Sequence, residues 1–257
     1  MPLLRTWKRN RLARKPFPRQ WREMAMQNVA HYRHLHEPLR QKLEKCMHVF
    51  LHEKLFEGCG GLAMTDEIRV TIAAQACLLL LGDASDYYPD LRTVLVYPDT
   101  YIATVERRTL DNTIVEGDEH RSGEAWTMGS IVLSWRDVLQ GGRSHIDGRN
   151  LVFHEFAHQL DYELGATEGV MFYKENRYTM DWPRAILKTA DRHSINVRLG
   201  RPTVLDSYGD TNLAEFFAVS LEAFMERPRD LKREYPEYFD QMREQLGINP
   251  MDLYSVD

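Results

Sequence analysis

Residues 148–163 read GRNLVFHEFAHQLDYE, and the rest of the chain is best read outward from this stretch. His154 and His158 are four apart, so on a helix they stand about 6 Å from each other on one face. Two imidazoles placed in this way can share one tetrahedral zinc at roughly 2.0–2.1 Å each. Glu155 lies one step round the helix. It is badly placed to join the ligand pair, but well placed to take a proton from a water and give it to a leaving amine. Leu151, Val152, Phe153, Phe156 and Leu160 are apolar, so most of the helix circumference is set for burial. Polar groups in such a helix need a partner, and a metal supplies one. The five-residue pattern also arises by chance, though rarely inside an apolar mid-chain helix. Asp161, seven residues after His154, is a candidate hydrogen-bond partner for a ligand imidazole.

A catalytic zinc needs a third protein ligand and an open position. The extended H-x-x-G-x-x-H continuation fails, because Asp161 stands at the Gly position and Leu164 at the last His position. The best alternative is Asn212–Pro228, NLAEFFAVSLEAFMERP, with a core stripe of Leu213, Phe216, Phe217, Leu221 and Phe224. Glu215 and Glu222 share a second face with the small Ala218 between them, which lets a carboxylate approach a neighbouring helix. Glu215 has two readings, ligand or second half of a capping box with Asn212. Glu222 reads as an acid behind a ligand or a surface residue. Tyr208, just before this helix, reads as an oxyanion donor or a packed loop tyrosine.

Other histidines read differently. His48 and His52 are also four apart, but Val49 follows the first, so no base is present and a surface or boundary position is expected. His31, His34 and His36 read equally well as a solvated helix end.

Around these motifs the pattern predicts helices over Gln20–Leu35 and Pro38–Phe56, the second closed by Gly58, Gly60 and Gly61, and a buried helix from Thr65. Thr65-Asp66-Glu67 offers a capping hydroxyl and two acids to the positive helix end, and Gly82 is a natural stop. Leu91–Tyr97 and Ile131–Trp135 read as strands, and residues 102–126 as short strands at best. Further helices are expected over Gly148–Glu163, Pro183–Asn196, Asn212–Glu226 and Pro236–Leu246. Helices, a small sheet and helices again give an α+β domain. Residues 1–17, rich in Arg and Lys, are expected to form a flexible basic arm, solvated or touching an acidic partner, with one domain over residues 18–257.

Composition narrows the classes. The 257 residues carry a net charge of -5, which makes no general case for nucleic-acid binding. The longest apolar run, Ile72–Leu81, is too short to span a bilayer, so no membrane association is expected. The three cysteines, Cys46, Cys59 and Cys77, are odd in number and widely spaced, which argues against disulfides and for a reducing cytoplasm.

Five segments together carry more than any one motif: EKLFEGCGGLAMTDEIRVTIAAQACLLLL (53–81), VLVYP (94–98), SGEAWTMGSIVLSW (122–135), LVFHEFAHQLD (151–161) and NLAEFFAVSLEAFMERP (212–228). From about Pro16 onward the chain resembles the Mlc titration factor A family of zinc peptidases, itself similar to the catalytic domain of anthrax lethal factor. The resemblance implies a mostly helical zincin-like α+β domain with a small mixed sheet. It implies His154, His158 and Glu215 as ligands of one Zn2+, Glu155 as base and Tyr208 as oxyanion stabiliser, and so favours Glu215 as a ligand. It also implies an edge strand within Ser122–Trp135 that aligns extended peptides. Enterobacterial members bind the glucose repressor Mlc, so the expected partners are a peptide or protein substrate and a transcriptional repressor. Leu213 departs from the family, whose members often have Pro there, and His120 is only a weak match to an upstream histidine found near the metal in some members. Three functions follow as rivals: a peptidase, aminopeptidase-like or acting on short peptides; a repressor-sequestering binding protein; and a structural zinc site. The intact Glu155 favours the first, since binding alone needs no base.

Overall fold

The computed structural model describes residues 2–82, 86–99, 101–108, 114–121, 123–126, 129–163 and 181–254. In chain order it runs through α1 (Pro2–Ala13), α2 (Arg19–Asn28), α3 (Ala30–His34), α4 (Glu37–Glu53), β1 (Leu55–Gly58), α5 (Asp66–Leu78) and β2 (Thr93–Tyr97). Then come β3 (Tyr101–Arg108), β4 (Ile114–Arg121), β5 (Gly123–Trp126), β6 (Ser130–Ser134), α6 (Trp135–Arg143) and α7 (Leu151–Glu163). The chain closes with α8 (Asp181–Arg198), a 3-10 turn (Ser207–Asp210), α9 (Leu213–Glu226), α10 (Pro228–Glu234), α11 (Pro236–Leu246) and a last 3-10 turn (Pro250–Asp252).

The sheet is small and mixed, in the order β1-β2-β6-β5. Its first three strands run parallel and β5 is antiparallel to β6. Val94 pairs with Ile131 and Val96 with Leu133, and all four side chains are buried. β3 and β4 form a separate antiparallel hairpin. The architecture is therefore the expected one, mostly helical α+β. The core runs through α4, α5, α7 and α9, and one apolar cluster extends from Ala25 to Leu253. Thr65 caps α5 as expected, its hydroxyl accepting from the Ile68 N–H at 3.3 Å. Such a cap contributes about 1 kcal/mol.

Several elements differ from the sequence reading. The expected arm contains helix α1 instead. Arg9 makes a two-pronged bond to Glu53, at 2.8 Å on each oxygen, and also bonds Asp86, while Leu12 is buried. The helix expected over Gln20–Leu35 breaks at Val29, which is extended. There the buried Asn28 turns its amide to Glu67 and Thr71 of α5 instead of solvent. α4 ends at Glu53 because Lys54 leaves the helix to bond the carbonyls of Tyr88 and Leu91, which frees Leu55–Gly58 to pair as β1. Burial lowers the Lys54 ammonium to about 8. Trp135 belongs to α6, since Ser134 caps that helix through the Asp137 N–H. Residues 101–126 hold two eight-residue strands as well as β5, and α10 lies where the sequence reading placed no helix. The cysteines are free, and among the described residues no helix is long and apolar enough to cross a membrane.

Candidate metal centre

α7 is wedged among α5, α6, α9, β5 and β6. Val152, Phe153, Phe156 and Ala157 are fully buried, and His154 and His158 lie on the more open side. Asn150 starts the helix. Its side-chain oxygen accepts from the Phe153 N–H at 3.1 Å, and its amide nitrogen donates to Gln75 of α5 at 2.9 Å. Gly141 of α6 allows this contact, because a Cβ there would lie 3.0 Å from the Asn150 Cα.

α9 supplies the acids. Glu215 places Oε2 2.9 Å from His154 Nε2 and 3.4 Å from His158 Nε2. The two ring nitrogens and the carboxylate oxygen lie within 4.8 Å of one another, and no other such group of His, Cys, Asp or Glu occurs among the described residues. Ligand atoms around a tetrahedral zinc at roughly 2.0–2.1 Å stand about 3.3 Å apart, so this donor set fits the ion. Both halves of the Glu215 question are visible. Asn212 accepts from the Glu215 N–H at 2.9 Å and so caps α9, while the Glu215 carboxylate faces the imidazoles.

The other nitrogen of His154 is taken by Glu222, whose Oε1 lies 2.8 Å from Nδ1. Its Oε2 accepts from the Asn150 N–H at 2.5 Å. Glu222 is thus a buried clamp joining the ring to its helix start, and it leaves Nε2 facing the donor group. Asp161 is buried on the same helix, but it is Glu222 that the ring of His154 meets. Glu226, one turn further along α9, escaped the sequence reading. It accepts from the Gly148 and Arg149 N–H groups at 2.9 and 3.2 Å, at the positive end of α7. Burial, and then the neighbouring Asp147 carboxyl, push Glu226 up to about 9. His31 is buried against Glu226 and Tyr254, not solvated, and burial followed by His145 and His34 pushes it down to about 3. His48 meets the Pro16 carbonyl at 3.3 Å, as a boundary histidine should.

Glu155 is buried next to His154, and Tyr208 is half-exposed with its ring centroid 6.0 Å from that of His154. His120 belongs to β4, and its side chain lies outside the described residues.

The electrostatics resemble a site in which a proton stands in for a cation. Burial disfavours the His154 imidazolium, but hydrogen bonds to Glu215 and Glu222 outweigh it and raise the ring to about 10. Burial likewise opposes the Glu215 carboxylate, yet its bonds to His154 and His158 bring it down to about 2. At neutral pH the metal-free protein therefore holds a proton on His154 that zinc must displace. Zinc affinity should rise with pH, by up to about tenfold per unit, until that proton is lost from the free protein. Glu215 stays ionised throughout and does not oppose the trend. Chelator-competition titrations at mildly acidic, neutral and mildly alkaline pH measure this, and a flat profile would show that no proton is displaced.

Fold and donor group together define a metallopeptidase-like domain. The chain belongs to the family of glucose-regulated metallo-peptidases M90, which it matches over residues 4–245. It is 35% identical to the uncharacterized protein slr2042 of Synechocystis over 246 residues, covering 95% of this chain and 90% of that one. It is 27% identical to Mlc titration factor A of Yersinia pestis and of Yersinia pseudotuberculosis over 222 residues, covering 86% of this chain and 81% of theirs.

Proposed function

We propose that this chain is a zinc-dependent peptidase in which His154, His158 and Glu215 hold the ion, Glu155 is the general base and Tyr208 steadies the oxyanion. The observation that carries the reading is the convergence of His154 Nε2, His158 Nε2 and Glu215 Oε2 on one point, with Glu155 adjacent on the same helix. When bound, zinc would supply Lewis-acid polarisation of the scissile carbonyl and acidify an attacking water. Glu155 takes the proton of the attacking water and passes it to the leaving amine. The Tyr208 phenol donates a hydrogen bond to the oxygen that becomes negative. Glu222 holds His154 in the tautomer that keeps Nε2 free. Among the described strands β5 has β6 on one side only, and its other edge offers backbone groups to an extended peptide.

The purified protein should hold about one zinc per chain, and His154→Ala or His158→Ala should each remove it. The loaded protein should cleave short peptides. Comparing one peptide with a free and an acetylated amino end tests the aminopeptidase form of the proposal. A double-histidine variant that keeps full zinc occupancy would end the assignment.

The name of the Yersinia relatives, Mlc titration factor A, supports a second reading, in which this chain also captures a transcriptional repressor of the Mlc type. Co-elution of this chain with a purified Mlc-type repressor, in the wild type and in Glu155→Gln, tests binding independently of hydrolysis.

A further inference from the structure

Tyr208 stands on a short turn, and a turn of four residues does not hold a half-exposed side chain in place by itself. Asp206 holds its backbone through two contacts. The Tyr208 N–H donates to Asp206 Oδ1 at 2.9 Å, and the Gly209 N–H donates to the Asp206 carbonyl at 3.1 Å. The second oxygen of Asp206, Oδ2, accepts from Arg149 Nη2 at 2.8 Å. Arg149 immediately precedes Asn150 at the start of α7, and its own N–H is held by Glu226 Oε2 at 3.2 Å and Asp147 Oδ1 at 3.0 Å. The turn also lies tight on α9, since a Cβ on Gly209 would come within 2.7 Å of Val219 Cγ2. The helix that carries His154 and the turn that carries Tyr208 are therefore joined by one carboxylate.

We propose that Asp206, anchored by Arg149, is a positioning residue for Tyr208, holding its ring beside that of His154. The inference rests on the peptidase reading above, because a fixed distance between Tyr208 and His154 matters only if both face the same reacting group. Asp206 touches none of His154, His158 or Glu215 in any described hydrogen bond. Its role is thus separable from metal binding. The Arg149 side chain is largely exposed, so its salt bridge to Asp206 contributes little to folding. Its contribution is the direction it gives the carboxylate.

The test is a double-mutant cycle on peptide hydrolysis, run with amide exchange of residues 206–211 in the zinc-free protein. Asp206→Ala should lower kcat by on the order of 10- to 100-fold, the loss expected when a reacting group drifts by about 1 Å, with KM changed little. Asp206→Asn keeps an acceptor for the Tyr208 N–H and should recover most of that loss. Arg149→Ala should fall between them. In a Tyr208→Phe background Asp206→Ala should cost nothing further, since the group it positions is gone. Zinc affinity of Asp206→Ala should equal that of wild type, and the Tyr208 and Gly209 amides should exchange faster. Additive losses in the cycle, an Asp206→Asn variant no better than Asp206→Ala, or unchanged exchange would each overturn the inference. If wild type hydrolyses peptides, Glu155→Gln and Tyr208→Phe are impaired and Asp206→Ala is not, the inference falls and the peptidase stands. If wild type cleaves no peptide, the peptidase reading falls, and the exchange arm still decides whether Asp206 holds the turn.

Discussion

Glu155→Gln should leave zinc bound and lower peptide hydrolysis by on the order of 10²–10⁴-fold, the usual contribution of a general acid–base group. Glutamine keeps the size and shape of glutamate, so the packing of α7 against α5 and α9 should survive. It cannot take a proton at any working pH. The side chains of His154, His158 and Glu215 are untouched by this change, and His154 keeps Glu222 on its second nitrogen. Zinc content by elemental analysis and kcat on one peptide are the two measurements. Retained zinc with lost turnover assigns the base to Glu155. Near-normal turnover would place the base on another residue, and loss of zinc would show that Glu155 orders the site instead of acting in it.

What the sequence disclosed and what it hid divide along a physical line. The i, i+4 histidines and the apolar residues around them are local facts of one helix, so α7 and its open face could be read directly. The same holds for the Phe216, Phe217, Leu221 and Phe224 stripe of α9 and for the Thr65 cap. Hydrogen-bond partners across the core are another matter. Glu222 meets His154 over a separation of 68 residues, and Glu226 meets Gly148 over 78. No local pattern tells which acid on α9 turns toward which nitrogen. Asp161 shares a face with His154, but seven helical residues at about 1.5 Å each place it some 10 Å along the axis. It is a carboxylate from a crossing helix that reaches the His154 ring. The basic start of the chain misled for a related reason. Arg9 reads as one more solvated cation until Glu53 and Asp86, both distant in sequence, come beside it. The resemblance to a known family broke the tie at Glu215, and spacing alone did not.

Glu215→Gln should weaken zinc binding far more than Glu222→Gln. Glu215 is placed to give its negative charge directly to the ion, through the oxygen that lies near both histidines. Glu222 acts through His154, and a residue in that role typically costs 10–100-fold in affinity. Its two oxygens also tie the His154 ring and the Asn150 N–H to α9, so glutamine there weakens two buried bonds. The cap of α9 provides the third comparison. The capping oxygen belongs to Asn212, and Glu215 contributes only its backbone N–H, which glutamine keeps. Asn212→Ala should therefore lose about 0.5–2 kcal/mol of stability while zinc stays bound. Chelator competition and thermal unfolding of the metal-free variants separate the three. Zinc binding weakened far more in Glu215→Gln than in Glu222→Gln supports the ligand role. Zinc kept by Glu215→Gln and lost by Glu222→Gln would move the third ligand two turns along α9 and overturn the ligand role of Glu215.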